Sequence, residues 1–525
     1  MISHKNSCLL SLISLFSISA IHLNASNTFR VENDFYIQHN EISGPSASSS
    51  MLTNGLTYYN LISVYTKGQF EGFDYNINAG LKLTDDERKD IKKLSLFTLA
   101  GQIKGHNQLL DLGDFFRSYS KYSLNTSLKG AGYTYSLENG DTLDVTYGFA
   151  APRWESFWDN EVESTDREVY GIRYNKKVSD DLSIGLDAVK THDSNAVVSN
   201  IPLYDTSLIT LNSTYRPIPG LKLYGEYSYS QHETDDGTTT EKEKGNAIFL
   251  QAIGNKNPSR VQLEFERIDP DFKTVTGSAT PDREKAKATW RYKITPKTTM
   301  NTGFLWFRDN LEGDKTTTTH TYRPNVGFTF KDVFDRQYAV VDINYKLNMI
   351  DGTNKTSDDM FDLNYRDRFG IVHSDIGLSY TLYDTDNNQR SQKEFRFNST
   401  FNTRHTLDDL VLKPSIMLGT WDMNDELDIN GNNKYYQAAV GLGFDIPSQK
   451  ISTNIRVGKN KSTRDVGDDL DKMFGYFDAY WNLGKMDPFS RVMLYAKAYI
   501  NDLQYSTVSN DYQEQSITLG FKLSF

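Results

Sequence analysis

Cysteine is nearly absent from this chain of 525 residues, where the one cysteine is Cys8, close to the N-terminus. If a leader is removed there, the mature chain has no disulfide, thiolate metal site, covalently attached haem or cysteine nucleophile. Proline is scarce, with 13 residues, and no apolar run beyond the N-terminus is long enough for a transmembrane helix. Sustained helical periodicity is lacking too. These absences argue against a helical membrane protein and a disulfide-stabilised domain.

The N-terminus has the composition of a secretory leader. Lys5 supplies a short basic region, Leu9 to Ile21 an apolar one, and small residues near Ala25 a cleavage site. A membrane anchor helix is the alternative, but about 13 apolar residues are too few to span a bilayer. Because Cys8 precedes most of the apolar region, lipoprotein cleavage is disfavoured. We therefore predict a signal peptide over residues 1–25, cleaved on export.

Aromatic residues are abundant although the chain is polar on average. There are 32 tyrosines and 29 phenylalanines, with a mean hydropathy of -0.57 and a formal net charge of -11. Membrane β-barrels have this composition, because only alternate residues face lipid and aromatic girdles lie at both interfaces.

Alternation of apolar and polar residues is the main pattern from about residue 55 onward. Clear examples are 73–83, 143–149, 261–265 and 286–292, and the segments run about 9 to 13 residues, the length of a tilted membrane strand. Soluble sandwiches and propellers also alternate, but with shorter strands. The pattern favours membrane strands.

The connections between these segments alternate in length, as in outer-membrane barrels with short periplasmic turns and long external loops. The predicted short turns are Met486-Asp487-Pro488, Ile446-Pro447-Ser448, Arg368-Phe369-Gly370, Thr295-Pro296-Lys297, Ile218-Pro219-Gly220 and Glu138-Asn139-Gly140. The predicted long loops are Asn501 to Asp511, Asn460 to Leu470, Trp421 to Asn433, Asp309 to Thr319, Arg267 to Asp282 and Gln231 to Lys244.

We therefore predict an all-β fold: one transmembrane antiparallel β-barrel of about 24 strands, within about 22 to 26. The barrel would occupy residues 55–525, after a short periplasmic N-terminal segment over residues 26–54. An even count places both termini in the periplasm. We expect the protein to be integral to the bacterial outer membrane.

The last strand resembles the C-terminal assembly signal of Gram-negative outer-membrane proteins. The polar residue, glycine, hydrophobic residue and terminal aromatic of that signal are matched by Thr518, Gly520, Leu523 and Phe525. The resemblance implies recognition by the barrel-assembly machinery. A looser likeness to porin-like barrels, implying no activity, covers the Gly113-Asp114-Phe115 and Leu128-Lys129-Gly130 stretches.

A barrel of about 24 strands has a diameter on the order of 45 Å and would breach the membrane unless it were narrowed. About 30 residues before the first predicted strand are too few for a plug domain. The connection 104–126 is the candidate, because it is too apolar for a solvated loop. Its candidate plug residues are Leu109, Leu112, Asp114, Phe115 and Phe116. The alternative is a further strand pair, which would change the count by two.

Charged residues of both signs fall on the polar face of the predicted strands. The candidate lumen charges are Arg260, Glu264, Glu266, Lys285, Lys287, Arg291, Lys293, Arg396, Arg456 and Arg491. Glu264 and Glu266 lie one strand before Lys287 and Arg291, so cross-strand pairing is expected. Such a wall either filters small polar solutes or only satisfies a hydrated interior.

These features together predict a porin-like channel for passive or weakly selective passage of small hydrophilic solutes. The alternative is a wide sleeve around a lumen or periplasmic protein partner, as in secretion or electron-conduit assemblies. A barrel enzyme is less favoured, because no catalytic or phosphate-binding motif is present.

We expect no cofactor and no nucleic-acid partner. We also expect no metal, since the loop around Gly431 departs from the calcium-binding pattern. The expected partners are outer-membrane lipid and lipopolysaccharide.

Overall fold

The computed structural model describes residues 28–150, 153–157, 166–194, 202–387, 389–429 and 431–525. The predicted signal peptide, residues 1–25, lies outside the described residues. In the described ranges the chain forms 27 strands and four three-residue 3-10 turns, at Ala47–Ser49, Glu155–Phe157, Val333–Asp335 and Val508–Asn510. Over the same ranges, no helix has both the length and the apolar character needed to cross a bilayer.

The strands are numbered in chain order. They are β1 Thr28–Ser43, β2 Gly55–Phe70, β3 Phe73–Thr84, β4 Leu94–Lys104, β5 Gln108–Ser118, β6 Asn125–Ser136, β7 Thr142–Phe149, β8 Asp166–Lys177, β9 Leu182–Ser194, β10 Leu203–Ile218, β11 Leu221–Asp235, β12 Thr240–Lys256, β13 Ser259–Ile268, β14 Arg283–Lys293, β15 Thr298–Arg308, β16 His320–Lys331, β17 Val340–Asp351, β18 Lys355–Phe369, β19 Val372–Thr385, β20 Arg390–Thr403, β21 His405–Leu407, β22 Leu410–Asp425, β23 Asn433–Ile446, β24 Ile451–Arg464, β25 Leu470–Met486, β26 Phe489–Tyr505 and β27 Tyr512–Ser524.

The sheet closes into a barrel. Consecutive wall strands pair antiparallel, and β27 pairs back onto β1, with Gln38 opposite Thr518. The three-residue β21 pairs with β22 beyond the wall, where β20 and β22 pair directly, so the described residues give a wall of 26 strands. The start of β1 and the end of β27 then lie at one end of the barrel, called here the terminal end, and the opposite one is the distal end. By strand spacing and tilt, a 26-stranded wall is about 50 Å across.

The two faces of the wall differ as alternation predicts. On β8, Tyr170 and Ile172 are 45% and 49% exposed on the outer face. Val169, on the inner face of the same strand, is fully buried. Leu186, Ile209 and Leu250 continue the exposed apolar surface on β9, β10 and β12. A closed barrel with a largely apolar outer surface is the form in which strands cross a bilayer.

The predicted alternation of short and long connections holds along most of the wall; an exception is the terminal-end connection 332–339, which is longer than the distal connection 352–354. All six predicted short turns lie at the terminal end, for example Pro219-Gly220 between β10 and β11. Several predicted long loops are shorter than expected because the strands continue past the membrane region. Thus β11 and β12 run through most of Gln231 to Lys244, and only 236–239 connects them.

The predicted count of about 24 was low by two, and each missed strand has a physical cause. Residues 26–54 were expected to precede the barrel, but Thr28–Ser43 is wall strand β1. Its alternation is obscured because outward-facing Asn33 is polar; its side chain bonds that of Asn60 on β2. The second missed strand is β5, which the sequence assigned to a plug.

Candidate functional site

The five candidate plug residues belong to the wall. Leu109, Leu112, Asp114, Phe115 and Phe116 lie in β5, which pairs with β6 over its whole length, so their assignment to a plug is wrong. β5 is apolar on both faces because Leu112 and Phe116 face outward, whereas Phe115 packs inward on a buried cluster. A strand that is apolar on both faces loses the period-2 signal.

Two distal connections, residues 119–124 and 269–282, fold into the lumen instead and are called here the inner loop pair. They bind one another through main-chain groups: the Asn125 N–H donates to the Thr276 carbonyl at 2.8 Å, and the Ser278 N–H to the Lys121 carbonyl at 2.9 Å. The Thr274 hydroxyl adds a bond to the Tyr122 carbonyl at 2.9 Å. The two connections therefore form one unit.

The inner loop pair packs on the inner wall through an apolar core. Tyr122 and Phe272 are fully buried, with their rings edge to face at 5.6 Å between centroids. The buried cluster comprises Tyr119, Tyr122, Leu124, Leu128, Val169, Val189, Leu208, Ala247, Phe249, Ile268 and Phe272. Its wall members lie on β6, β8, β9, β10, β12 and β13, so the loops cover one side of the lumen.

Glycines allow this close approach. A methyl group on Gly245 of β12 would overlap the main chain of Phe272, and one on Gly277 would overlap the carbonyl group of Tyr122. The wall and the two loops are thus in main-chain contact at these points, where only glycine fits.

Two buried carboxylates fix the inner loop pair electrostatically. Glu226 on β11 accepts the Tyr122 N–H at 3.0 Å and the Lys121 N–H at 3.2 Å. Glu266 on β13 accepts the Tyr122 hydroxyl at 2.9 Å and forms ion pairs with Lys121 and Lys285. Both glutamates are 3% exposed. Buried carboxylates are stable when paired and hydrogen-bonded in this way.

At the distal rim the inner loop pair is tied to the next connection. Asp282 accepts the Leu311 N–H at 2.7 Å and pairs with Lys315. Burial opposes ionisation of Asp282, but the bonds from Lys315 and the backbone outweigh it and hold its pKa below the ordinary value. The anchor is therefore charged at neutral pH.

The structure pairs some of the candidate lumen charges and separates others. Lys285 lies opposite Glu266, and Lys287 lies opposite Glu264 with a 3.8 Å ion pair. Arg291, expected to pair with these carboxylates, lies opposite Arg260 instead. Of the other candidates, Arg396 forms an ion pair with Glu394. The last three lie opposite uncharged residues: Lys293 opposite Thr299, Arg456 opposite Gly441 and Tyr476, and Arg491 opposite Ser524.

Across the lumen from the inner loop pair, inner-face charges remain open to solvent. The side chains of Lys346, Arg366 and Arg396 are 57%, 55% and 56% exposed. Their partners stand beside them, with Lys346 3.4 Å from Asp362 and Arg366 2.7 Å from Asp342. This side of the wall is a hydrated surface of both signs.

The residues of the predicted assembly signal close the barrel. Thr518 and Gly520 lie between β26 and β1, and a methyl group on Gly520 would overlap the Tyr495 ring. Leu523 lies opposite Val492 and Asn33, and the Phe525 N–H donates to the Val31 carbonyl at 2.9 Å. Their recognition by assembly machinery stays a prediction.

No family model and no curated protein matches this chain. Among solved structures it is similar to the siderophore receptor PirA from Pseudomonas aeruginosa, with 11% identity, a TM-score of 0.45, and coverage of 96% of this chain and 81% of that one. It is also similar to OpdL from P. aeruginosa, with 12% identity, a TM-score of 0.37, and coverage of 69% and 99%. OprD, an outer membrane protein from P. aeruginosa, has 10% identity, a TM-score of 0.34, and coverage of 62% and 88%. The likenesses concern the fold alone.

The chain's own geometry places it in the membrane. A closed antiparallel barrel with an apolar outer surface, a charged inner surface and short terminal-end turns is an integral outer-membrane β-barrel.

Proposed function

We propose that this chain is a porin-like channel for passive, weakly selective passage of small hydrophilic solutes. The exposed charged wall opposite the inner loop pair carries the proposal, because Lys346, Arg366 and Arg396 are more than half exposed inside a closed barrel. Hydrated side chains along one wall indicate a continuous aqueous path. Residues 119–124 and 269–282 narrow it from the other side.

Weak selectivity follows from the arrangement of the charges. The exposed lumen cations Lys346, Arg366 and Arg396 each have a carboxylate beside them, such as Asp342 at 2.7 Å from Arg366. A solute therefore meets positive and negative charges at similar depths along the pore, and the net electric field at any depth is small. We expect neither strong cation nor strong anion preference.

The proposal includes an orientation. The terminal end with its short turns would face the periplasm, and the distal end would contact lipopolysaccharide, as in other barrels of this kind. The barrel-assembly machinery would insert the chain through β27.

A sleeve around a partner protein is less well supported by the inner wall. Such a sleeve should offer apolar surface to its occupant, yet the cluster around Leu208 is already covered by Tyr122 and Phe272 of the chain itself. The remaining inner surface around Arg366 is charged and solvated.

Reconstitution in a planar bilayer tests the channel. We expect stepwise insertion currents with a reversal potential close to zero in an asymmetric salt gradient. A protein that inserts, by the heat-modifiable mobility typical of barrels, yet gives no current at any voltage would contradict the proposal. A tightly co-purifying protein that blocks the current would favour the sleeve.

A further inference from the structure

The wall has a break between β4 and β5. These strands pair only from Ala100–Lys104 to Leu109–Gly113. Beyond that, β4 stays paired to β3 as far as Leu94, and β5 stays paired to β6 as far as Ser118. The distal halves of β4 and β5 therefore have no ladder between them, and this gap is called here the seam.

Gly113 marks the point where the strands part. Its φ is +79°, and a methyl group there would overlap the carbonyl group of Leu99. Glycine is therefore required for the two main chains to meet at this rung with that backbone conformation. β4 and β5 therefore diverge at a defined position, Gly113.

Side chains take the place of the missing ladder. Asp114 on β5 accepts the Leu99 N–H at 2.7 Å, and Glu155 from the connection after β7 accepts the Leu96 N–H. The Trp154 indole N–H donates to Asp114 at 2.8 Å. Residues 153–157 thus contact both edges. Glu155 and Asp114 together satisfy two backbone donors of β4 that would otherwise be unpaired.

The outer mouth of the seam combines apolar surface with an ion pair. Leu99 and Phe116 flank it on the outer face and are 39% and 61% exposed. Between them Asp114 pairs with Lys129 at 2.6 Å, and the Lys129 ammonium lies 5.2 Å from the Trp154 ring. An ionised pair on the lipid-facing side is costly and points to a function.

The inner mouth is polar. Asp90, whose side chain is fully buried, pairs with Lys82 and with Arg153 at 2.7 Å and accepts the Ser95 hydroxyl at 2.8 Å. Burial opposes ionisation of Asp90, but these bonds hold its pKa well below the ordinary value. The segment that closes the seam is thus held by a charged anchor on the lumen side.

We propose that the seam is a lateral exit through which a small apolar or amphipathic molecule passes between the lumen and the outer-membrane bilayer, with Trp154 and Asp114 as its latch. Parting the seam breaks a few side-chain bonds and no ladder, so it costs less than parting any fully paired rung. A hydrophilic solute has no reason to leave water for lipid, whereas an apolar chain gains by doing so. Leu99, Phe116 and Trp154 provide an apolar surface that such a chain can contact on its way. This activity goes beyond the hydrophilic conduction proposed above.

Locking the seam tests the exit. In a Cys8→Ser background, Leu99→Cys with Phe116→Cys would be bridged by bifunctional maleimides of graded length. The matched control is Leu363→Cys with Leu378→Cys, which lie opposite one another on the outer face of β18 and β19. The readout is entry of the apolar dye N-phenyl-1-naphthylamine into cells that carry the protein, alongside ion conductance in planar bilayers.

Bridging the seam should lower dye entry to the level of cells lacking the protein, whereas the control bridge should not. Conductance should be the same in both, so failure of the exit and failure of the hydrophilic channel are distinguishable. Dye entry that is unchanged by the seam bridge, or never above that of cells lacking the protein, overturns the proposal.

Weakening the latch tests it in the opposite direction. Trp154→Phe removes one hydrogen bond at the seam, and we expect dye entry to rise about fivefold, the factor that one neutral hydrogen bond contributes. Trp290→Phe is the matched control, because the Trp290 indole donates to Ser259 at 2.9 Å on a fully paired rung. Equal dye entry in the two variants, both correctly assembled by heat-modifiable mobility, would refute the latch.

Discussion

Tyr122→Ala is expected to detach the inner loop pair and widen the channel. Tyr122 is fully buried, packs edge to face on Phe272, and donates its hydroxyl to Glu266. Removing a large buried aromatic side chain costs about 3 to 5 kcal/mol. The wall strands keep the hydrogen bonds of their own ladders, so the barrel should stay folded. The lost free energy should instead destabilise the packing of the inner loop pair against the wall.

Single-channel conductance measures this effect. With the loop pair displaced from one side of the lumen, we expect conductance to rise up to about twofold, with added current noise. Tyr122→Phe keeps the ring and loses only the hydroxyl, so its effect should be near 1 kcal/mol and its conductance close to that of the unmodified protein. Tyr227→Ala, at an exposed outer-face tyrosine, is the matched control. Unchanged conductance in Tyr122→Ala would show that the loop pair does not narrow the path.

Glu266→Ala is expected to have the second largest effect. Glu266 pairs with both Lys121 of the loop pair and Lys285 of β14, and its side chain is 4% exposed. Removing one partner of a buried ion pair costs about 3 to 5 kcal/mol, because the remaining charge is left uncompensated. The loop pair should open more often, and two unpaired lysines should shift the reversal potential toward anion preference.

Glu264 provides the matched control two residues away on the same face. It faces Lys287 at 3.8 Å, and the Lys287 side chain is 42% exposed, so that pair is screened by solvent. Glu264→Ala also loses the hydrogen bonds that Gln251 and Gln262 donate to it, but none of its partners belongs to the loop pair, so gating should be unchanged. Adding Lys121→Met to Glu266→Ala should restore part of the lost stability, since it removes one of the orphaned charges. Equal effects of Glu264→Ala and Glu266→Ala would contradict this account of the buried pair.

The barrel could be predicted from the sequence because its wall follows local rules. β27, which ends the alternation at Phe525, and the turn at Pro219-Gly220 are set by residue pattern and turn chemistry alone. The predicted number of strands was too low because two strands depart from the apolar–polar alternation, and contacts with other strands and loops explain each departure. Asn33 faces outward with Asn60 as its partner, and Phe115 faces inward onto the buried cluster.

The inner loop pair could be predicted only in part. The segment 104–126 was expected to narrow the lumen, and it contains the inward-folded residues 119–124, but the residues chosen belong to β5. The partner connection 269–282 falls within the predicted long loop Arg267 to Asp282, and Phe272 is its one large aromatic residue. Its contact with Tyr122 joins residues 150 positions apart, and single-sequence patterning carries no information at that separation.

Thiol accessibility inside the conducting channel tests the central claim most directly. The account states that one side of the lumen is an open aqueous path and the other is covered by residues 119–124 and 269–282. Arg366→Cys lies on the open side, where the native side chain is 55% exposed, and Leu208→Cys lies beneath the loops, where it is 1% exposed. A bulky water-soluble methanethiosulfonate added to open channels should reduce the current of Arg366→Cys and leave Leu208→Cys unchanged. Current that is unaffected in Arg366→Cys, or reduced as quickly in Leu208→Cys, would contradict the account.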